Sequence, residues 1–195
     1  MKLSVIKYNA GNIQSVSFAL ERLGVNFTIT DDAEEIRSAD KVIFPGVGEA
    51  STTMKYLKEK KLDKVIVELK QPVFGICLGM QLMCRHSEEY DTPCLGIFDE
   101  TVKKFIPEGD FKVPHMGWNE LSLSPNSWFD PATEGKYAYF VHSYYVPVNQ
   151  HTAAVTEYIH PFSAAMKKGN FYAAQFHPEK SAEAGELVLK SFLNA

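Results

Sequence analysis

The stretch Pro72-Val73-Phe74-Gly75-Ile76-Cys77-Leu78-Gly79-Met80-Gln81 decides how the chain is read. Its short apolar run has the length of a buried strand, and Leu78, Met80, Leu82 and Met83 continue as a helix. Between the two lies Gly-x-Cys-x-Gly, the cysteine form of a nucleophile elbow, a turn too tight for flanking side chains. Such a turn exposes its middle side chain at the end of a sheet, over the amino end of the next helix. Free cysteine titrates near ~8.5, and a helix N-terminus favours its anion, so Cys77 is placed as a reactive thiol rather than a packed one.

Working outward, the upstream half alternates strand with helix. Leu3 to Tyr8 reads as a strand, Asn9-Ala10-Gly11-Asn12 as a turn, and Ile13, Val16, Leu20 and Leu23 as one helix face ending at Gly24. Asn26 to Thr30 and Val42 to Phe44 are further strands, separated by an acidic helical turn after Asp31 and Asp32. Met54, Leu57, Leu62, Val65, Ile66 and Leu69 form the inner face of helical segments whose lysines (Lys55, Lys58, Lys60, Lys61, Lys64) face solvent. This alternation predicts a parallel sheet flanked by helices. After Pro93 the pattern shifts to short apolar segments, Thr101–Ile106, Trp118–Leu123, Tyr137–Val146 and Ala153–Tyr158, punctuated as in antiparallel hairpins. Lys167 and Lys168 are expected in a turn, Phe171 to Phe176 in a strand, and Leu187 to Leu193 in a closing helix. The expected class is therefore α/β, a flavodoxin-like, mostly parallel sheet with antiparallel strands added in the second half. With no linker or repeat, residues 1–195 are expected to form a single domain.

Composition narrows the function. The 195 residues are 45% apolar and carry a formal charge of -4, with scattered lysines, which argues against disorder and against nucleic acid. No apolar run approaches a membrane span, and no signal-peptide pattern opens the chain. Three cysteines do not suit a disulfide framework, so a reducing, cytoplasmic setting is expected. Cys77, Cys84 and Cys94 lack metal-ligand spacing, and neither metal nor cofactor is expected. Cys84 is read as packed, two turns along the helix from Cys77.

A thiol nucleophile needs an acid-base partner. Proline biases His177 to an extended conformation, and residues two apart on extended backbone point the same way, so Glu179 can orient the imidazole. Pro45-Gly46-Val47-Gly48 follows a strand and leaves the sheet at the same edge as the elbow. Its backbone, with the Leu78 N–H, is a candidate oxyanion hole, where one donor is worth about 3 kcal/mol. His86, His151 and His160 are read as surface or turn residues. His115 and His142 are read as core histidines, with a place near the site as the alternative.

Gly75-Ile76-Cys77-Leu78-Gly79-Met80-Gln81 together with His177-Pro178-Glu179 resembles the signature of the class I (triad) glutamine amidotransferases. Tyr8 to Asn12, Pro45 to Gly48, His115-Met116-Gly117-Trp118-Asn119, Phe140 to Tyr145 and His177 to Ser181 extend the resemblance to one branch, the glutaminase subunits of imidazole glycerol phosphate synthase. The likeness runs end to end. It implies that Cys77 attacks the glutamine side-chain amide to form a thioester, with His177, held by Glu179, moving the protons. It further implies that Gly46, Val47, Gly48, Leu78, Gln81, Ser143 and Tyr144 bind glutamine. The ammonia would pass to a cyclase subunit in a heterodimer, near Met116-Gly117-Trp118, for histidine biosynthesis. Two alternatives stand beside this: the glutaminase of a synthase of the pyridoxal phosphate type, and a reactive-cysteine sensor without turnover. A cysteine esterase is disfavoured because its acid would precede the histidine in the chain.

Overall fold

A computed structural model describes residues 1–8 and 13–195; the turn expected over Asn9 to Asn12 lies outside the described residues. The first half alternates as its periodicities require: β1 (Leu3–Ile6), α1 (Ile13–Arg22), β2 (Phe27–Thr30), α2 (Ala33–Arg37), β3 (Lys41–Phe44), α3 (Ala50–Glu59), α4 (Leu62–Glu68), β4 (Val73–Ile76) and α5 (Leu78–Met83). The second half is built mainly from strands: β5 (Cys84–Ser87), β6 (Thr92–Pro93), β7 (Phe98–Lys104), β8 (His115–Glu120), β9 (Ser122–Leu123), β10 (Tyr137–His142), β11 (Tyr144–Tyr145), β12 (Thr152–Glu157), β13 (Pro161–Lys168) and β14 (Phe171–Ala174). The helix α6 (Ala182–Leu193) follows them.

The main sheet has the order β2-β1-β3-β4-β14-β13-β12-β9. Strands β2, β1, β3, β4 and β14 run parallel, giving the flavodoxin-like 2-1-3-4-5 arrangement, and β13, β12 and β9 continue it antiparallel. Alternate residues of the central strands serve opposite faces. Leu3, Val5, Ile43, Phe74 and Ile76 pack with Val16 and Leu20 of α1 and Val188 and Phe192 of α6. Ile6, Val42, Phe44 and Val73 pack with Ile36 of α2, Met54 and Leu57 of α3, Leu62 and Ile66 of α4, and Leu82 and Met83 of α5. A ribbon of β10 and β8 and a sheet ordered β11-β7-β5-β6 lie outside this frame.

Four readings of the second half need correction. The elbow helix stops at Met83, and Cys84 opens β5 rather than a further turn, although it is fully buried as expected. The segment Tyr137–Val146 is two strands in different sheets, broken at Ser143. The strand expected to run to Phe176 ends at Ala174. Lys167 and Lys168 belong to β13; the turn is Gly169-Asn170, with Gly169 at φ +57°, a value that favours glycine. Lys168 is held by donating to the Ile97 carbonyl, and Lys167 lies over the Tyr172 ring.

Candidate active site

Because β3, β4 and β14 are neighbours, the segments leaving their carboxyl ends emerge side by side: Pro45–Gly48, Cys77, and Gln175–His177. Cys77 follows β4 directly and adopts φ +50°, ψ −106°, a conformation that side chains rarely take and that marks a strained elbow. Its N–H is anchored to the Ala174 carbonyl at 2.7 Å, and its own carbonyl accepts from Gln81 N. The glycines around it are demanded by backbone contact. A Cβ on Gly79 would lie 2.1 Å from the Phe44 carbonyl oxygen, and one on Gly46 would lie 2.3 Å from Gly79 N.

His177 is set by the turn that follows β14. Its N–H donates to the Tyr139 carbonyl, while Ser181 Oγ donates to the His177 carbonyl at 2.7 Å and accepts from Tyr139 N at 2.9 Å. His177 Nδ1 and Glu179 Oε1 are 2.8 Å apart, with both side chains almost wholly buried. Nδ1 therefore carries the proton toward the carboxylate, and Nε2, which has no hydrogen-bond partner of regular geometry, is left for the thiol side. Burial opposes charge on this ring. The negative charge of Cys77 and the hydrogen-bonded Glu179 carboxylate outweigh it and push the imidazole up to about 10. The ring is held as an imidazolium on the Cys77 side of the cavity.

Cys77 and His177 share a cavity of about 340 Å³. Its wall also includes Gly46, Val47, Gly48, Leu78, Gln81, Ser143 and Tyr144, so the geometry gathers every residue named in the sequence for catalysis or glutamine binding except Glu179, which backs His177. One detail differs from expectation. The Leu78 N–H donates to the Gly46 carbonyl at 3.4 Å, so this oxyanion donor is engaged within the protein. The loop is also tied from the other side, where the buried Tyr8 hydroxyl donates to the Pro45 carbonyl at 2.6 Å.

The cavity has further walls that sequence reasoning missed, Glu89, Pro114 and Val141, and it also includes His142, for which a place near the site is the alternative reading. Glu89 is the carboxylate on this wall; it accepts from Ala50 N at 2.8 Å, and burial raises its pKa. No motif marks it, because it sits in a short 3-10 turn, Glu89–Asp91, outside the regular elements. His142 is buried and bonded to His115, Nε2 to Nδ1, at 3.0 Å. Burial drives both imidazoles down, to about 3 and about 4, so both are neutral. His115 and His142 are thus core histidines, and His142 borders the site as well. His160 is half-buried against the rings of Phe105 and Tyr145, a packing residue rather than a plain surface one.

A strained cysteine elbow facing a carboxylate-backed histidine at one sheet edge is the arrangement of a thiol acyl-transfer enzyme. The class-I glutamine amidotransferase family model matches residues 4–195. The chain belongs to the class-I glutamine amidotransferases. Among curated members of this family, it is 63% identical over 195 residues to the imidazole glycerol phosphate synthase subunit HisH of Bacteroides thetaiotaomicron, covering 100% of both chains. The same subunit of Bacteroides fragilis is 63% identical over 194 residues, 99% of each chain. A solved glutamine amidotransferase superposes with a TM-score of 0.75 at 18% identity, covering 98% of this chain and 97% of that one, which shows that the fold is shared.

Proposed function

We propose that the chain is the glutaminase subunit of imidazole glycerol phosphate synthase, acting through Cys77, His177 and Glu179. The observation that carries the reading is the buried His177–Glu179 pair at 2.8 Å, opening onto the same cavity as the strained Cys77. The Cys77 sulfur attacks the side-chain carbon of glutamine, placing negative charge on the amide oxygen. As that charge collapses, the C–N bond breaks and His177 Nε2–H protonates the departing nitrogen, giving ammonia and a thioester. Neutral His177 then takes a proton from water, whose oxygen attacks the thioester. Glutamate leaves, and the thiolate–imidazolium pair is restored.

Substrate placement falls to the cavity wall. The Gly46-Val47-Gly48 loop, Leu78, Gln81, Ser143 and Tyr144 would surround the glutamine, with the Glu89 carboxylate available as counter-charge for its α-ammonium. The oxyanion needs donors, yet the Leu78 N–H meets the Gly46 carbonyl. We infer that the loop turns this carbonyl away before the chemistry proceeds, and that a ligand-bound cyclase partner favours the turned state. Full glutaminase activity of the isolated chain would contradict this.

The ammonia requires a consumer. A cyclase subunit would dock over the β8–β10 ribbon, where Met116 (63% exposed) and Trp118 (53% exposed) present apolar surface. Trp118→Ala is expected to weaken coupling of glutaminase to cyclase turnover; coupling at wild-type strength would remove this placement. Among the described residues no helix is long and apolar enough to cross a membrane, in keeping with a proposed cytoplasmic site of action.

Ammonia release from glutamine tests the whole reading, measured for the pure chain and then with the cyclase subunit and its nucleotide ligand, with Cys77→Ser as control. Strong stimulation that the control abolishes is expected. Activation by a different synthase would reassign the partner, and thiol labelling indifferent to glutamine would favour a sensor.

A further inference from the structure

We infer that Gln175 is a positioning residue for the nucleophile, holding the Cys77 sulfur through its side-chain amide; this rests on the reading of Cys77 as the attacking group. Gln175 follows β14, two residues before His177, and is fully buried. Its Nε2 lies 3.6 Å from Cys77 Sγ, within range for a hydrogen bond to sulfur. Its Oε1 accepts from Gln81 Nε2 at 3.0 Å.

The direction of these bonds follows from what each group can do, independent of how either amide is drawn. The Tyr144 carbonyl can only accept, so Gln81 must turn its Nε2 toward it, at 3.0 Å. The second hydrogen of that nitrogen then meets Gln175, which must present oxygen. The Gln175 nitrogen is thereby left facing the sulfur. The same Tyr144 carbonyl accepts from His142 Nδ1 at 2.7 Å, and His142 Nε2 accepts from His115 Nδ1. His115 Nε2 closes the run by accepting from Asn119 Nδ2 at 3.3 Å. Every donor and acceptor along this path has one consistent assignment, with both imidazoles neutral. A buried amide fixed at one end in this way has no freedom to turn its N–H from the thiol.

Two consequences follow for the thiol. An N–H aimed at sulfur strengthens when sulfur is charged, so it favours the thiolate. It also fixes the lone pair that meets the substrate carbon. The other titratable groups around Cys77 are His177, with Glu179 behind it, the Tyr8 hydroxyl, and His142 and Glu89 on the cavity wall. None of them is removed by changing Gln175.

The test compares wild type, Gln175→Met and Cys77→Ser in the complex with the cyclase subunit and its nucleotide ligand. Two readouts are taken: glutaminase kcat and KM, and the pH dependence of Cys77 alkylation by iodoacetamide, followed on the Cys77 peptide by mass spectrometry. For Gln175→Met the alkylation midpoint is expected to rise by about one pH unit and kcat to fall about tenfold, with KM within about twofold. A folded Gln175→Met with the wild-type alkylation profile overturns the inference, whether or not its rate falls, because a packing role alone would then remain. Should that variant fail to fold, Gln175→Leu decides by the same readouts; failure of both to fold assigns Gln175 to the core and also overturns it. Glutaminase activity surviving in Cys77→Ser would instead sink the nucleophile assignment, a result distinct from the others.

Discussion

At the scale of single residues, the site is made by what is missing. Gly46 and Gly79 lack side chains because the Pro45–Gly48 loop rests on the elbow backbone itself, atom against atom. The obstacles are a carbonyl oxygen and an amide nitrogen, neither of which can swing aside as a flexible side-chain tip would. Gly79→Ala is therefore expected to cost about 3 kcal/mol by pushing α5 off β3, and to abolish turnover by displacing Cys77. Gly24→Ala is the matched control, at φ +69° with open space around the Cβ position. It carries the conformational penalty alone, about 1 kcal/mol. Urea denaturation of the two variants separates contact from conformation, and equal losses would show that the loop–elbow contact is soft. Both elbow glycines and Gly46 are legible in the sequence as motif letters. Gln175 is not, because a lone glutamine at a strand end carries no spacing signal, and only its neighbours in space reveal what it touches.

Elements were legible where burial imposes one period over several turns. The strands β1, β3 and β4 and the inner faces of α1, α3 and α4 fall where apolar spacing puts them, and the five lysines on α3, α4 and their junction are all exposed. The second half resisted because its strands are distributed over three sheets, so pairing partners far apart in sequence decide where each one ends. Ser143 shows this: β10 pairs with β8 up to His142, whereas Tyr144 pairs with Lys104 of β7. The Pro45–Gly48 loop belongs to the same scale, since hydrogen bonds to the Pro45 and Gly46 carbonyls from distant elements help set its conformation. Removing one tether, in Tyr8→Phe, leaves the ring edge-on to Phe44 but releases the Pro45 carbonyl. A single hydrogen bond of this kind is worth about 1 kcal/mol, so partner-free glutaminase activity is expected to rise several-fold, and the stimulation ratio to shrink. An unchanged ratio would mean that Tyr8 does not hold the resting state.

Across the whole molecule, the buried pair of His142, which borders the site, and His115 behind it sets the response to acid. His142 and His115 are neutral because the interior cannot solvate their charge, with folded values near about 3 and about 4. In the unfolded chain both return to about 6.5. The unfolded state thus binds more protons than the folded one between those limits, so stability is fully present above about pH 6.5 and is lost as pH falls through the folded values. The slope is about 1.4 kcal/mol per pH unit for each histidine within that window. Carboxylates cannot produce this loss above about pH 5, since their reference values lie near 4. His115→Phe preserves the stack between Phe140 and Tyr158 while removing one of the two titrating rings. Chemical denaturation at stepped pH is expected to give a visibly shallower decline for this variant between pH values of about 6.5 and 5, even though it is less stable at neutrality for want of a donor to His142. Identical slopes would mean that the pair takes up its protons in the folded state, and the neutral, single-direction hydrogen-bond run from Asn119 to Tyr144 would have to be redrawn.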